Sequence, residues 1–223
     1  MIQHWRRLTF LHWRYPPDQV QALLPAGLTV ETFDGSAWVG VIPFRMAAVR
    51  PSVLPALPWL SWFPETNVRT YVHGPDGRTG IWFFSLEAAR LVPVLIAQAG
   101  FGLPYRWADM SVDDHGSTVL YRSRRRWPGR PGARCDATVR AGAPLAPGPL
   151  DHFLTARYRL YSRYAGRLVA ANAEHPPWSL YHGEVTRLDQ NLAQAAGLPG
   201  PGHDPLVHTS PGVRVRIGMW RPV

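Results

Sequence analysis

Alternation of polar and apolar side chains is clearest in the segment FPETNVRTYV, residues 63–72. A two-residue period, the signature of a β-strand, divides this segment into two faces. One face is β-branched throughout, which suits a half-buried pleated surface. The other face carries an acid, an amide, a guanidinium and a phenol: Glu65, Asn67, Arg69 and Tyr71. The pattern predicts a strand over 65–72, and it leaves open whether the polar face meets water or lines a pocket.

Turn signals elsewhere predict several hairpins. The Asp34-Gly35 pair lies between apolar runs and predicts a tight turn, and His115-Gly116 and Ala165-Gly166 predict two more. The segment 15–28, YPPDQVQALLPAGL, reads as a short helix that begins near Pro17. The run IWFFSL, 81–86, predicts a buried strand.

The remaining periodic segments predict a few further short helices and strands. Ser85 is a plausible N-cap for a helix over about 86–99, although Pro93 should kink it. Residues 148–163 predict a short helix that passes into a strand. Strand, helix and strand are then predicted over 178–185, 186–197 and 212–220. The sum is one α+β domain, 1–223, with a mostly antiparallel sheet that is long enough to curl and with short helices around it.

Composition narrows the class of protein. Ten Trp and a 46% hydrophobic fraction argue against disorder. The formal charge of +9 comes entirely from arginine, because the chain contains no lysine. The arginines are scattered except in the run Ser123–Arg134, which resembles a solvated loop rich in Gly and Pro. A charge run alone carries little sequence-specific information, so we do not expect nucleic-acid binding to be the function of this protein.

Processing and membrane signals are missing from the sequence. The N-terminal residues contain no apolar core of signal-peptide length. The longest apolar run, 91–104, is too short to span a bilayer and contains Pro93. We therefore expect a cytoplasmic protein with no membrane partner. Cys135 is the single cysteine, which excludes an intrachain disulfide. Nearby arginines would lower the pKa of its thiol, but an incidental cysteine is the simpler interpretation.

Common catalytic and metal motifs are also missing. Nine histidines occur without an HExxH motif, a cysteine partner or a close His pair, so no metal is expected. Ser85 lacks the flanking glycines of a nucleophile elbow. The chain has no glycine-rich phosphate loop, and no cofactor is expected. The polar face of 65–72 is therefore the strongest candidate site, and its neighbour IWFFSL, which is apolar on both faces, favours a pocket over an exposed surface.

Several segments in collinear order carry a family resemblance. They are FLHWRY, LLPAGLTVETFDGSAWVGVIPFRM, LPWLSWFPETNVRTYV, GIWFFSLEAAR, GLPYRWADM, LDHFLTARYRLYS and HPPWSL, from about residue 4 to about residue 185. This combination resembles the YqjF-like family of bacterial proteins in the acetoacetate decarboxylase-like superfamily. The resemblance implies a cone-shaped, mostly antiparallel β-barrel around a central cavity, with the face of Glu65 turned into that cavity. Members of the superfamily often form oligomers, so a homo-oligomer is also implied.

One departure from the superfamily is decisive for chemistry. Acetoacetate decarboxylases use a lysine that forms a Schiff base with the substrate ketone. A chain without lysine cannot follow that mechanism, and arginine is no substitute because its guanidinium stays protonated.

The resemblance therefore leaves a cavity with a carboxylate and one or two guanidiniums. Arg69, together with Arg45, is expected to hold a carboxylate or enolate oxygen, and Glu65 is the candidate general acid or base. Asn67 and Tyr71 would orient polar groups of the ligand. Tyr105 and His12 are weaker candidates, and a structural role beside Trp13 is the simpler interpretation for His12.

Three function classes remain open at this point. The first is an enzyme that acts on a small oxo- or hydroxy-acid without imine chemistry, by proton abstraction, hydration or a lyase reaction. The second is a non-catalytic small-molecule-binding barrel in which Glu65 and Arg69 form a structural ion pair. The third and weakest is an arginine-rich nucleic-acid partner. An open cavity with Glu65 unpaired, or at a strongly perturbed pKa, would favour the first class, and a buried Glu65–Arg69 pair with a closed cavity would favour the second.

Overall fold

The computed structural model describes residues 1–91, 94, 100, 102–129 and 131–223. Fourteen strands lie within these ranges: β1 Ile2–Tyr15, β2 Thr29–Val30, β3 Thr32–Phe33, β4 Ser36–Arg50, β5 Phe63–His73, β6 Thr79–Ala88, β7 Tyr105–His115, β8 Thr118–Trp127, β9 Arg134–Pro144, β10 Arg159–Tyr164, β11 Arg167–Glu174, β12 Tyr181–Gln190, β13 Leu206–Ile217 and β14 Arg221–Pro222. Three short helices lie wholly within them: α1 Pro17–Gln21, α2 Pro149–Thr155 and α3 Leu192–Ala195. Among the described residues, no helix is long and apolar enough to cross a bilayer.

Nine strands close into a β-barrel. Their order is β6-β7-β8-β9-β12-β13-β1-β4-β5, and pairing of β5 with β6 completes the ring. Neighbours in this ring run antiparallel except β6 and β7, which are parallel. A closed ring leaves no unpaired edge among its members. The expected α+β fold class and its mostly antiparallel barrel are confirmed.

A second, shorter route joins two strands of the same ring. β10 pairs with β6 in parallel, where Leu160 lies opposite Ile81. β11 pairs with β10 and also with β13, where Ala173 lies opposite Ile217. The strands β13, β1, β4, β5 and β6 therefore belong both to the nine-strand ring and to a seven-strand ring closed by β10 and β11. We call these five strands the shared wall.

The two faces of the shared wall pack against different cores. One face packs with β7, β8 and β9 in a cluster that includes Leu11, Val39, Val41, Val68, Val112, Tyr121 and Val139. The other face packs with β10, β11 and α2 in a cluster that includes Trp38, Tyr71, Ile81, Leu154, Leu160 and Ala171. A third cluster on this second face includes Phe10, Ile42, Phe44, Trp178 and Leu180. Both faces of the wall are therefore dry, which explains why β4 and β5 are buried along most of their length.

The predicted hairpin turns are confirmed. Asp34 and Gly35 both have positive φ, at 50° and 71°, and connect β3 to β4. Such a pair of positive φ values matches the right-handed twist of the flanking strands. The turns at 115–116 and 165–166 connect β7 to β8 and β10 to β11. The short helix near Pro17 and the change from α2 to β10 are also confirmed. The strand predicted over 212–220 corresponds to β13, which begins earlier, at Leu206, and ends earlier, at Ile217.

The helix predicted from Ser85 is wrong at its start. β6 continues through Ala88, and Ser85 is paired with Val68 inside that strand. Pairing with β5 on one edge and with β7 on the other outweighs the local capping signal. The later part of the prediction, residues 92–93 and 95–99, lies outside the described residues.

The helix predicted over 186–197 is also largely wrong. β12 continues to Gln190, which pairs with Cys135 of β9, and only Leu192–Ala195 are helical. The strand predicted over 178–185 begins later than expected, at Tyr181. Cross-strand pairing with β9 again outweighs the local helix signal, because a short helix is only marginally stable by itself.

The loop predicted for Ser123–Arg134 is strand at its two ends, over 123–127 and at Arg134. β8 extends to Trp127, and its arginines alternate, so that Arg124 is exposed while Arg125 is buried. Cys135 lies in β9 and is 1% exposed. Burial, the main cause, raises the pKa of the Cys135 thiol to about 12. The thiol is therefore not activated, contrary to the possibility that nearby arginines would lower its pKa.

A buried ion pair crosses from β6 to β8. Arg125 donates through Nε to one oxygen of Glu87 at 3.0 Å and through Nη2 to the other at 2.5 Å. The side chains are 4% and 0% exposed. Arg125 also reaches the hydroxyl of Ser85 at 3.4 Å. Removing one member of such a pair leaves the other charge buried without compensation.

We expect Arg125→Met to lower the free energy of unfolding by about 3–5 kcal/mol, because Glu87 would remain buried and unpaired. Arg140→Gln is the control. It breaks the exposed pair with Glu184, whose side chains are 57% and 60% exposed, and should change stability by less than about 1 kcal/mol. Urea unfolding followed by circular dichroism measures both. Equal losses in the two variants would contradict a structural role for the buried pair.

Candidate anion-binding site on β5

The polar face of β5 is buried inside the protein. Glu65 is 3% exposed, Asn67 6%, Arg69 5% and Tyr71 0%. They lie on the face of the shared wall that is covered by α2, β10 and β11. The structure therefore answers part of the question that alternation left open, because this face is buried in the protein and does not meet water.

Arg69 is held between an aromatic ring and a helix end. Its Nη2 donates to the carbonyl oxygen of Leu154 in α2 at 3.1 Å and to the hydroxyl of Tyr71 at 3.4 Å. Its guanidinium carbon lies 5.5 Å from the centroid of the Phe10 ring. Its Nε has no hydrogen-bond partner among the described residues. Two acceptors for a group with five N–H donors leave most of its hydrogen-bonding capacity unused.

Arg69 differs from the other buried arginines in its lack of a counter-charge. Arg125 is paired with Glu87, and Arg157 donates to Glu31 at 2.5 Å. Among the described residues, no carboxylate lies within 4.0 Å of the Arg69 guanidinium. The nine residues outside the described ranges contain no Asp or Glu. The interior of the seven-strand ring thus contains a positive charge that no side chain of this chain neutralises.

Glu65 does not supply that counter-charge. It lies four residues from Arg69 along β5, which corresponds to about 13 Å at roughly 3.3 Å per residue. Its Oε2 accepts a hydrogen bond from the hydroxyl of Tyr105 at 3.0 Å. Burial raises the pKa of Glu65 to about 8, and the bond from Tyr105 opposes this rise only in part. The structural Glu65–Arg69 ion pair, which was one of the alternatives, is not formed.

Tyr71 connects His12 to α2. Its hydroxyl lies 2.6 Å from the Leu154 carbonyl oxygen and 2.6 Å from Nε2 of His12. A carbonyl only accepts, so the Tyr71 proton is donated to Leu154, and His12 must donate its Nε2–H to the Tyr71 oxygen. This fixes the imidazole tautomer and leaves Nδ1 of His12 as a bare acceptor, for which the described residues provide no partner.

His12 is neutral, and its ring fits beside β4 only because the neighbouring residue there is a glycine. Burial, followed by the charge of Arg69, lowers the pKa of His12 well below its usual value. Gly40 lies beside it on β4, and a Cβ there would come within 2.8 Å of the His12 Nε2. The ring of His208, which is hydrogen-bonded to Asp151 at 2.8 Å, lies 6.5 Å from the His12 ring. Among the described residues, His12 is thus hydrogen-bonded through Nε2 and not through Nδ1, and it lies close enough to Arg69 to feel its charge.

The other predicted site residues divide into two groups. Asn67 lies between Glu65 and Arg69, and its Oδ1 has no partner among the described residues. Tyr105 is brought to Glu65 from β7. Arg45 is not brought to this face, because its Nη2 donates to the carbonyl of Val112, which belongs to the cluster on the opposite face.

Three residues of this site were missed by sequence reasoning. Phe10 stacks under Arg69, and Trp178 meets the edge of Phe10 with the ring centroids 5.3 Å apart. Trp178 is fixed by a hydrogen bond from its Nε1 to the Thr155 carbonyl at 2.9 Å. Leu154 contributes only its backbone carbonyl. A pattern of side chains cannot predict a contact made by a backbone carbonyl. The residues around Trp178 in the sequence likewise do not indicate that it packs on Phe10 of β1.

The arrangement combines one fixed cation, one carboxyl that is mostly protonated near neutral pH, and an aromatic wall. Its charge suits an anion, and its dryness strengthens any hydrogen bond that Arg69 makes. Among the described residues, no group of three or more His, Cys, Asp or Glu side chains is placed to hold a metal ion.

Glu65 should make the stability of the protein depend on pH. Its pKa is about 8 in the folded state against 4.5 as its ordinary value, so the unfolded state binds fewer protons between these limits. The free energy of unfolding then falls as pH rises from about 4.5 to about 8, by at most about 1.4 kcal/mol per pH unit. The difference between Glu65→Gln and wild type should rise over the same window, and urea unfolding at several pH values measures it.

Other titrating groups, including His12, are present in both proteins and cancel in that difference. A constant difference between pH 4.5 and 8 would mean that Glu65 ionises normally in the folded protein.

Comparison with solved structures agrees with the architecture. The chain matches an acetoacetate decarboxylase from Legionella pneumophila with a TM-score of 0.71 at 13% identity, over 100% of this chain and 86% of that one. It matches an acetoacetate decarboxylase-like enzyme from Sphingomonas wittichii RW1 with a TM-score of 0.70 at 16% identity, over 100% and 92%. It also matches the enduracididine biosynthesis enzyme MppR complexed with pyruvate, with a TM-score of 0.69 at 17% identity, over 99% and 89%. At these identities the likeness establishes the fold alone.

Sequence comparison gives the family. The protein YqjF of Bacillus subtilis (strain 168), described as uncharacterized, is 37% identical over 211 residues, which cover 93% of this chain and 86% of YqjF. The family profile DUF2071, described as an uncharacterized conserved protein, matches residues 2–214. The chain therefore belongs to the DUF2071 family, with YqjF as a homologue and with the barrel of the acetoacetate decarboxylase-like proteins.

Proposed function

We propose that this protein binds a small organic acid, an oxo- or hydroxy-acid, through its carboxylate at Arg69. The observation that carries the proposal is the missing counter-charge of Arg69, since the two other buried arginines each have a carboxylate. Burying an unpaired charge is expensive, and proteins normally avoid it by pairing or by neutralisation. Guanidinium does not deprotonate in proteins, so pairing with an anion from outside the chain is the remaining solution.

The hydrogen-bond geometry supports a carboxylate as that anion. The Nε–H of Arg69 is free among the described residues, and terminal N–H groups remain after those that reach Leu154 and Tyr71. A guanidinium presents such donors side by side, in the spacing that matches two carboxylate oxygens. The rings of Phe10 and Trp178 beside it suit the apolar part of an organic acid.

Glu65 gives the proposal a possible chemical step. With a pKa of about 8 it is mostly a neutral acid near neutral pH, and it can give a proton to a carbonyl or enolate oxygen of the ligand or take one from it. Asn67, between the two residues on the same face, has a free amide oxygen with which to orient a hydroxyl group. This arrangement supports acid–base chemistry without an imine.

Binding without catalysis is the second candidate. His12, Tyr71 and Leu154 are linked by two short hydrogen bonds, and such a chain suits a rigid binding site as well as a catalytic one. An assay for chemical conversion of a ligand that binds at Arg69 distinguishes an enzyme from a non-catalytic binding protein.

We expect a thermal-shift screen to find a stabilising acid among pyruvate and longer 2-oxo, 3-oxo and 2-hydroxy acids. Free ligand at a hundred times its dissociation constant should stabilise the protein by about 2.7 kcal/mol. Arg69→Gln should abolish the shift, because it removes the anchoring charge. Glu65→Gln should keep it, because Gln resembles the neutral form of Glu65 in shape and charge.

Two controls make this screen specific. The amide pyruvamide has the shape of pyruvate without its charge and should give no shift. Arg14→Gln changes an exposed arginine of the same β1 strand that carries His12, and should bind acids as the wild type does. If no acid stabilises the wild type, or if Arg69→Gln binds as well as Arg14→Gln, Arg69 is not an anion anchor.

We also expect no covalent adduct when the protein is incubated with acetoacetate and then reduced with borohydride. The chain contains no lysine, and its α-amino group at Met1 is occupied by a hydrogen bond to the Ile217 carbonyl at 2.8 Å. Intact-mass spectrometry measures the outcome. A stoichiometric adduct that disappears in Arg69→Gln would show that imine chemistry takes place at this site after all.

A further inference from the structure

A loop between β4 and β5 exposes an unusual amount of apolar surface. We call residues 51–62 the apolar loop. Its exposed large side chains are Val53 at 88%, Leu54 at 55%, Leu57 at 57%, Trp59 at 65% and Trp62 at 43%. Scattered exposed apolar residues are normal, but a contiguous group of this size marks an interaction surface. From Pro51 to Pro64 the sequence has no acidic residue.

The loop holds its shape with its own hydrogen bonds. The hydroxyl of Ser61 accepts from the Leu57 N–H at 2.9 Å, and the Ser61 N–H donates back to the Leu57 carbonyl at 3.1 Å. Arg50 donates to the Leu54 carbonyl at 3.2 Å, and Arg90 donates to the Trp59 carbonyl at 3.2 Å. The apolar side chains are thus presented outward by an ordered backbone.

Arginines surround the apolar loop. Arg90 stacks on Trp59, with its guanidinium carbon 4.1 Å from the ring centroid. Ser52 lines a surface hollow of about 690 Å³ together with Arg214 and Arg216 of β13. Arg50 lies on β4 opposite Ile2, which lies opposite Arg216 on the other side of β1. We call Arg50, Arg90, Arg214 and Arg216 the basic rim.

The basic rim has spare positive charge. Within the described residues none of its four arginines forms an ion pair, whereas Arg124, Arg126 and Arg140 elsewhere on the surface each do. Glu174 lines the same hollow and lies opposite Arg216, so it offsets part of the charge. The rim remains net positive.

We propose that the apolar loop and the basic rim together dock on an anionic lipid bilayer. Trp side chains prefer the headgroup level of a membrane, and Leu and Val insert below it. Arginines beside such a segment bind lipid phosphates and add electrostatic attraction to an anionic surface. The sequence predicts no membrane partner, because it contains no segment that could span a bilayer, and a loop that lies on the membrane surface leaves no such signal.

A second copy of this chain is a poorer occupant for the same surface. In a two-fold symmetric interface the patch would meet itself. The basic rim would then face its own copy, and like charges in contact disfavour association. A bilayer with anionic headgroups supplies both the apolar interior and the negative charge that the patch lacks.

The test is co-sedimentation of the full-length protein with vesicles of equal parts phosphatidylglycerol and phosphatidylcholine, compared with vesicles of phosphatidylcholine alone. We expect binding to the anionic vesicles that weakens as salt is added, because the electrostatic part is screened. The double variant Trp59→Ser with Trp62→Ser should lose binding by roughly tenfold or more, because two interfacial anchors are removed. Arg214→Gln should weaken binding to anionic vesicles and leave binding to neutral ones unchanged.

Matched variants separate docking from general surface effects. Tyr164→Ser removes an aromatic side chain that is 43% exposed, the same as Trp62, from the end of β10. Arg140→Gln removes an exposed charge on β9. Both should bind vesicles as the wild type does, and circular dichroism confirms that every variant is folded.

Three results would overturn the proposal. The first is failure of the wild type to sediment with anionic vesicles, and the second is sedimentation that the double Trp variant does not reduce. The third is a concentration-dependent dimer in sedimentation velocity that the double Trp variant abolishes, which would assign the patch to a second copy.

Discussion

The buried guanidinium of Arg69 is the constraint around which this site is built. Its charge lies inside a ring of apolar side chains, and its nearest polar partners are the Leu154 carbonyl and the Tyr71 hydroxyl. Burial, followed by that charge, lowers the pKa of His12 well below its usual value. Under the function proposed above, the carboxylate of a ligand would neutralise this cation, which links the electrostatics of the fold to the class of ligand it would hold.

The double closure of the sheet is what makes such a site possible. The shared wall has a dry face on each side, so β5 can carry hydrophobic residues toward one core and polar residues toward the other. On the first side the only buried charges on β6 and β8 neutralise each other, as Glu87 and Arg125 do. On the second side Glu65 remains unpaired with any arginine and is mostly protonated near neutral pH. One face of the wall therefore carries a neutralised ion pair, and the other carries a guanidinium and a carboxyl that do not pair with each other.

The sequence predicts which side chains share the polar face of β5, but it does not predict their hydrogen-bond and ion-pair partners. A two-residue period placed Glu65 and Arg69 on one side of β5, because alternation is a local property of a strand. Whether they pair depends on the rise along the strand and on what lies opposite, and here the alternation alone was not sufficient. The link from Tyr71 to His12 spans 59 residues, and the helix expected from Ser85 was overridden by pairing with two other strands. Contacts made across the fold are set by topology, on which local patterns are silent.

The pairing of β1 with β13 has a consequence for how the protein comes into being. Residues 2–12 pair with residues 206–216, so both rings contain a seam between segments that are about two hundred residues apart and leave the ribosome at different times. One edge of β1 must stay unpaired until residues 206–216 have emerged. Because contacts so distant in sequence form slowly, that edge is the part of the nascent chain most in need of protection from other strands.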